Sequence, residues 1–185
     1  MLDSIHHIEP IMRHAGQLLM SFYHQHLQYF DKKNEGFFTK ADVSVEDYLK
    51  HALAKLYPEI GFLAEESGQQ LGEDQKHQWV IDPLDGTTNF ARNIPYFCIS
   101  IALVLNKKTV FGIIFDPLHD ELFWAFEKKG AWQKTIHGIK QLTVSKVDKL
   151  ERSLVLVGIP YAKNEAFREV FRKAEVVGIP LPFVI

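Results

Sequence analysis

The segment Trp79-Val80-Ile81-Asp82-Pro83-Leu84-Asp85-Gly86-Thr87-Thr88-Asn89-Phe90 constrains this chain more than any other stretch. An apolar run of strand type ends in two carboxylates, at i and i+3, and Pro83 fixes a backbone torsion between them so that both can turn toward one point. Two close acidic groups repel each other in a partly buried site, and a hard divalent cation removes that penalty by taking both as oxygen ligands. Gly86 lets the backbone approach a ligand, and Thr87-Thr88 can open a helix whose free N–H groups suit a phosphate oxygen. Asp-Pro and Asp-Gly are also ordinary turn-formers, so the segment alone leaves a plain strand and turn open.

A second stretch shifts the balance. Ile60-Gly61-Phe62-Leu63-Ala64-Glu65-Glu66-Ser67 also ends an apolar strand with carboxylates, 17 residues before Asp82. If the two strands pair, Glu65 reaches the same cluster. Taken in isolation, Glu65-Glu66 reads as a solvated pair at a loop entrance.

The surrounding pattern mixes helix and strand. Ile5, Ile8, Met12, Ala15, Leu19 and Phe22 recur at helical spacing and predict a helix to about Tyr29, kinked at Pro10 or beginning just before it. A second helix is predicted from Asp42 to Tyr57, with Val45, Tyr48, Leu49, Ala52 and Leu56 inward, Ser44 and Asp47 in a capping-box pairing, and Pro58 as the stop. Strands are expected at Ile60–Ala64, Trp79–Ile81, Cys98–Leu105, Val110–Phe115 and Glu121–Phe126, the last three forming an antiparallel meander. Ser153–Val157 followed by a helix over Asn164–Glu175 reads as the start of a βα unit in a second sheet. The division expected is therefore 1–150 for a metal- and phosphate-binding α+β region and 151–185 for the opening of a second α/β region. The apolar end, Val176 to Ile185, reads either as a final buried strand or as a chain that stops inside a domain.

Composition excludes several function classes. With 21 Lys+Arg against 23 Asp+Glu the net charge is -2, which argues against a nucleic-acid partner. No stretch approaches the roughly 20 apolar residues of a membrane helix, and the first residues show no secretory leader, so a cytoplasmic location is the expectation. The single Cys98 can form no disulfide within the chain and reads as a small core residue. His24 and His26 lie on nearly opposite faces of a helix and read as surface histidines.

Three motifs in order resemble the inositol monophosphatase family, within the lithium-sensitive, magnesium-dependent phosphatase superfamily. Thr39-Lys40-Ala41-Asp42 resembles T-x-x-D, Ala64-Glu65-Glu66-Ser67 resembles G-E-E-S, and Asp82 to Phe90 resembles D-P-(I/L)-D-G-T-T-N-F. Related nucleotide and sugar bisphosphatases share the D-P-(I/L)-D-G core but usually diverge after it, so the T-T-N-F ending favours this branch. The resemblance implies an α/β fold of alternating helix and sheet layers. It implies that Glu65, Asp82 and the Leu84 carbonyl bind one Mg²⁺ and that Asp82 and Asp85 share a second. Glu65 and Thr87 would position the attacking water, Asp42 would hold a further water, and the Gly86 and Thr87 amides would hold the phosphate. A small phosphorylated polyol as substrate, lithium inhibition and a homodimer are further implications.

Departures from the family pattern are equally specific. Ala64 replaces a glycine, Phe37-Phe38 stand where an acidic-apolar pair is common, and no W-D-x-A-A-G motif follows. The resemblance therefore implies incomplete C-terminal layers and a second cation held by Asp82 and Asp85 alone. A Mg²⁺-dependent phosphomonoesterase is the first expectation; a non-catalytic remnant or subunit of one, or a related nucleotide or sugar bisphosphatase, is the alternative.

Overall fold

A computed structural model describes residues 5–25, 30–31 and 37–154. Contacts divide the chain into two units, Met1–Asp31 with Phe37–Leu142, and Lys32–Gly36 with Thr143–Ile185. In the second unit the described residues hold one 3₁₀ turn, Leu150–Arg152. The expected strand at Ser153–Val157 and the helix after it lie, apart from Ser153 and Leu154, outside the described residues.

The first unit is a mixed α/β fold. A 3₁₀ turn, Ile5–His7, leads into α1, Glu9–Phe22. Pro10 falls in the first turn of α1, where its missing N–H costs nothing, so the helix begins there rather than kinking. It also stops at Phe22, short of the expected Tyr29. The two-residue strands β1, Phe30–Asp31, and β2, Phe37–Phe38, pair antiparallel.

Helix α2, Lys40–Leu56, starts earlier than the pattern around Ser44 suggested. Thr39 is the N-cap and Asp42 completes the capping box, not Ser44 and Asp47. The inward row is Ala41, Val45, Leu49 and Leu53 at steps of four, and Leu56, expected inward, is 44% exposed. Asp42 and Glu46 lie beside that row and are buried with it.

The remaining strands are β3, Ile60–Ala64; β4, Gly68–Gln70; β5, Asp74–Asp85; β6, Cys98–Leu105; β7, Lys108–Asp116; β8, Glu121–Phe126; β9, Gly130–Thr135; and β10, Gly138–Leu142. A short helix α3, Thr87–Ala91, follows β5. These strands form one eight-stranded sheet in the order β10-β9-β8-β7-β6-β5-β3-β4. The expected meander of three strands extends to five, β6 through β10, each antiparallel to the next. Asn106 and Lys107, both at positive φ, make the two-residue β6–β7 loop that matches the right-handed twist of the strands. Strands β3 and β5 are the parallel pair, Ala64 lying opposite Ile81.

One face of the sheet carries the core. Trp79, Ile81, Ile99, Ile101, Phe111, Ile113 and Leu122 are all buried there with Ile11, Met12, Val45 and Leu49 of the helices. Helix α1 lies on β6 and β7, and α2 on β5. Gly16 permits the close approach of α1, because a Cβ there would lie 2.3 Å from the Phe115 ring. No helix among the described residues is long and apolar enough to cross a membrane.

Candidate active site

The site forms where β3 and β5 end. In a regular strand side chains alternate between faces, so positions i and i+3 point apart. Strand β5 breaks that rule with a bulge: Asp82 lies opposite Ser100 and Asp85 opposite Cys98, three steps on β5 against two on β6. The extra residue returns Asp85 to the face that Asp82 occupies, away from the helix-covered core. Pro83 and Leu84 fill the bulge and are buried, and the Leu84 N–H donates to Asp82 Oδ1 at 3.1 Å.

Parallel pairing brings the third carboxylate. The Glu65 N–H donates to the Ile81 carbonyl at 3.2 Å, continuing the β3–β5 ladder one residue beyond Ala64. Glu65 thereby stands beside Asp82, and the two carboxyl groups are in hydrogen-bond contact. Burial first, then the charges of Glu65 and Asp85, push the Asp82 carboxyl up to about 7. Two ionised carboxylates do not touch without a proton or a cation between them, so this donor set fits a hard dication. Among the described residues no three His, Cys, Asp or Glu side chains already stand in an ion-enclosing arrangement; Glu65 and Asp82 lean on each other instead.

Helix α2 supplies the inner wall. Asp42, fully buried, accepts the Thr39 N–H at 2.8 Å and the Thr39 hydroxyl at 2.7 Å on Oδ2. Its Oδ1 lies 3.1 Å from the Thr87 hydroxyl, which is also 3.0 Å from the Leu84 carbonyl. Thr87 has one hydroxyl proton for these two acceptors. Burial raises the Asp42 carboxyl above its ordinary value, and the bonds from Thr39 and Thr87 oppose that rise. The Leu84 carbonyl, expected as a cation ligand, thus already faces Thr87 and keeps one further lone pair.

Gly86 is the N-cap of α3 at φ 92°, a left-handed position, and a Cβ there would meet the Tyr96 carbonyl at 2.8 Å. Its immediate reason is therefore internal: the chain turns tightly against its own 96–97 backbone. Asn89 Nδ2 donates to that same Tyr96 carbonyl at 2.8 Å and closes the loop.

Glu46 is the residue that sequence reading missed. It is 2% exposed, and its two oxygens accept the Glu66 and Ser67 amides at 2.8 and 3.0 Å. Bonds to a charged acceptor contribute about 1.5–3 kcal/mol each and offset the cost of burying it. Its position four residues after Asp42, beside the apolar row, was the available signal.

Cys98 also differs from expectation. It is half-buried on the carboxylate face rather than in the helix-facing core, with Sγ 4.0 Å from Asp85 Oδ2. Burial and the nearby charges of Asp85, Asp82 and Asp116 push its thiol up to about 12, so it stays protonated and unreactive. His24 is exposed, as expected, and bonds Asn93; His26 lies outside the described residues.

Helices on one face of a mixed sheet and carboxylates gathered at the carboxyl ends of its parallel strands define an α/β protein with a candidate ligand site at its strand ends. The chain belongs to the inositol monophosphatase family, which matches residues 3–179. An inositol-1-monophosphatase of Caulobacter vibrioides is 39% identical over 137 residues, covering 74% of this chain and 52% of that protein. The Nus factor SuhB of Escherichia coli K12 is 35% identical over 155 residues, 83% of this chain and 57% of that protein. Among solved structures, the extragenic suppressor protein suhB of Bartonella henselae superposes with a TM-score of 0.84 at 32% identity, covering 94% of this chain and 66% of that one. The chain spans about half the length of the curated relatives it matches.

Proposed function

We propose that this chain carries the ion- and phosphate-handling machinery of a Mg²⁺-dependent phosphomonoesterase, with myo-inositol monophosphate the first candidate substrate. The observation that carries the proposal is the convergence of Glu65, Asp82 and Asp85 on one face, with Asp82 held up to about 7 by burial and its acidic neighbours. Glu65, Asp82 and the Leu84 carbonyl would hold one Mg²⁺, and Asp82 with Asp85 a second. When bound, Mg²⁺ supplies positive charge against the phosphoryl oxygens and makes water more acidic.

The chain's own groups do the rest. Glu65 and the Thr87 hydroxyl orient the attacking water for in-line displacement. Asp42 fixes the Thr87 hydroxyl through the 3.1 Å contact and holds a further water. The Gly86 and Thr87 amides receive the phosphate oxygens. A small phosphorylated polyol as ligand, a homodimer and a cytoplasmic setting without nucleic acid belong to the same reading; they rest on the family and on the charge of -2.

The test is phosphate release from myo-inositol monophosphate with and without Mg²⁺, paired with calorimetric titration of Mg²⁺. Release that requires Mg²⁺ and vanishes in Asp82→Asn supports the proposal. Mg²⁺ binding without release supports a non-catalytic, ion-binding member instead, and the absence of both overturns the reading.

A further inference from the structure

Glu46 takes no part in the ion and substrate contacts above, yet it is as buried as the core around it. Both its oxygens are spent on one turn, Oε2 on the Glu66 N–H at 2.8 Å and Oε1 on the Ser67 N–H at 3.0 Å. One helical turn further along α2, Lys50 Nζ donates to Ser67 Oγ at 2.9 Å. Three bonds from a single helix thus close on the two residues that follow Glu65. From the other side the Glu65 N–H is held by the Ile81 carbonyl of β5. The backbone at Glu65 is therefore gripped from the sheet and from the helix together, at the one place where its carboxylate meets Asp82.

The spacing along α2 adds to this. Asp42 bonds Thr87, the first residue of α3, and Glu46, at i+4 on the same side of the helix, bonds the turn after β3. One helix thereby contacts the chain just after Glu65 and just after Asp85. A carboxylate is suited to the task because it alone among side chains offers two acceptor oxygens and no donor.

We propose that Glu46 is a positioning residue that fixes the 65–67 turn, keeps the Glu65 carboxylate against Asp82 and through that sets the affinity of the cluster for a divalent cation. The cation half rests on the proposed function; the positional half stands on the hydrogen bonds alone.

The variant to make is Glu46→Gln, which keeps the volume but offers one acceptor to two N–H donors. Three readouts are taken on folded protein, with the thermal midpoint monitored: Mn²⁺ affinity by electron paramagnetic resonance, amide exchange at Glu66 and Ser67, and the Glu65 position in a crystal structure. The expected result is Mn²⁺ affinity at least tenfold lower, exchange at both amides at least tenfold faster, and Glu65 displaced from Asp82. Lys50→Met, which removes only the exposed hydroxyl contact to Ser67, should lower Mn²⁺ affinity by less than Glu46→Gln does. Wild-type affinity with Glu65 unmoved in Glu46→Gln overturns the proposal. If the glutamine variant does not fold, Glu46→Asp, which keeps the charge but is one methylene shorter, is read by the same criteria. If wild-type protein itself binds no Mn²⁺, the cation reading fails, and the exchange rates and the Glu65 position decide the positional claim by themselves.

Discussion

At the scale of single residues the site is a store of electrostatic strain. Asp82 is held in contact with one carboxylate and near another, and its carboxyl stays protonated up to about 7 against an ordinary 3.8. Between those two values the folded state keeps a proton that the unfolded chain has released. Stability without a cation therefore falls as pH rises through that window. Asp82→Asn removes the charge while keeping the shape, and Asn can donate to Glu65. Each unit of such displacement corresponds to about 1.4 kcal/mol, so cation-free Asp82→Asn should be more stable than wild type at pH 8 by at least on the order of 1 kcal/mol. Chemical denaturation in the presence of a chelator measures this, and equal midpoints would refute the repulsion. The carboxylates stood out in the sequence because two apolar strands end in acids 17 residues apart, although Asp-Pro and Asp-Gly by themselves are ordinary turn-formers. Their convergence was expected from Pro83, but its means was not: i and i+3 diverge on a regular strand, and the bulge at Pro83-Leu84 reunites them.

At the scale of elements, sequence pattern located what periodicity dominates. Helix α1, helix α2 and strands β3, β6 and β8 follow from apolar spacing. Strands β4 and β10 escaped it, because Gly68-Gln69-Gln70 and Gly138-Ile139-Lys140-Gln141-Leu142 carry few core residues and are strands by virtue of their neighbours' hydrogen bonds. The capping box was misplaced for a similar reason. Ser44-x-x-Asp47 has the right letters, but the Asp42 carboxylate has the stronger partner in Thr39, with both its N–H and its hydroxyl engaged. Helix α1 meets the sheet closely at Gly16, where a Cβ would lie 2.3 Å from the buried Phe115 ring and 3.2 Å from Pro117, with Arg13 over the same ring. Gly16→Ala gains up to about 1 kcal/mol of helix propensity but drives a methyl into a ring with no room to move. The net effect expected is destabilisation of about 1–2 kcal/mol, seen as a lowered midpoint in urea; an unchanged or higher midpoint would mean α1 can lift from the sheet at no cost.

At the scale of the whole molecule, the parallel pair sits inside an otherwise antiparallel sheet, and this arrangement is what makes a site. Antiparallel neighbours send successive strand ends to opposite edges, whereas β3 and β5 end together and place their carboxylates side by side. The fold thus holds repelling groups together with hydrophobic burial supplied elsewhere, chiefly by α1 and α2 on the far face. A ligand that binds only the folded state stabilises it by about 2.7 kcal/mol at 100 times its Kd, roughly 5–10 °C for a unit of this size. Two effects of opposite sign then meet at Asp82. Without a cation the Asn variant is the more stable protein, because the repulsion is gone. With saturating Mg²⁺ wild type gains the full increment and the variant gains little, so the order of their melting temperatures inverts. Differential scanning calorimetry of both proteins across a Mg²⁺ series reads the crossing directly. A wild type that stays below Asp82→Asn at every Mg²⁺ concentration would leave the carboxylate cluster as an unrelieved strain, and the cation would have no place in this fold.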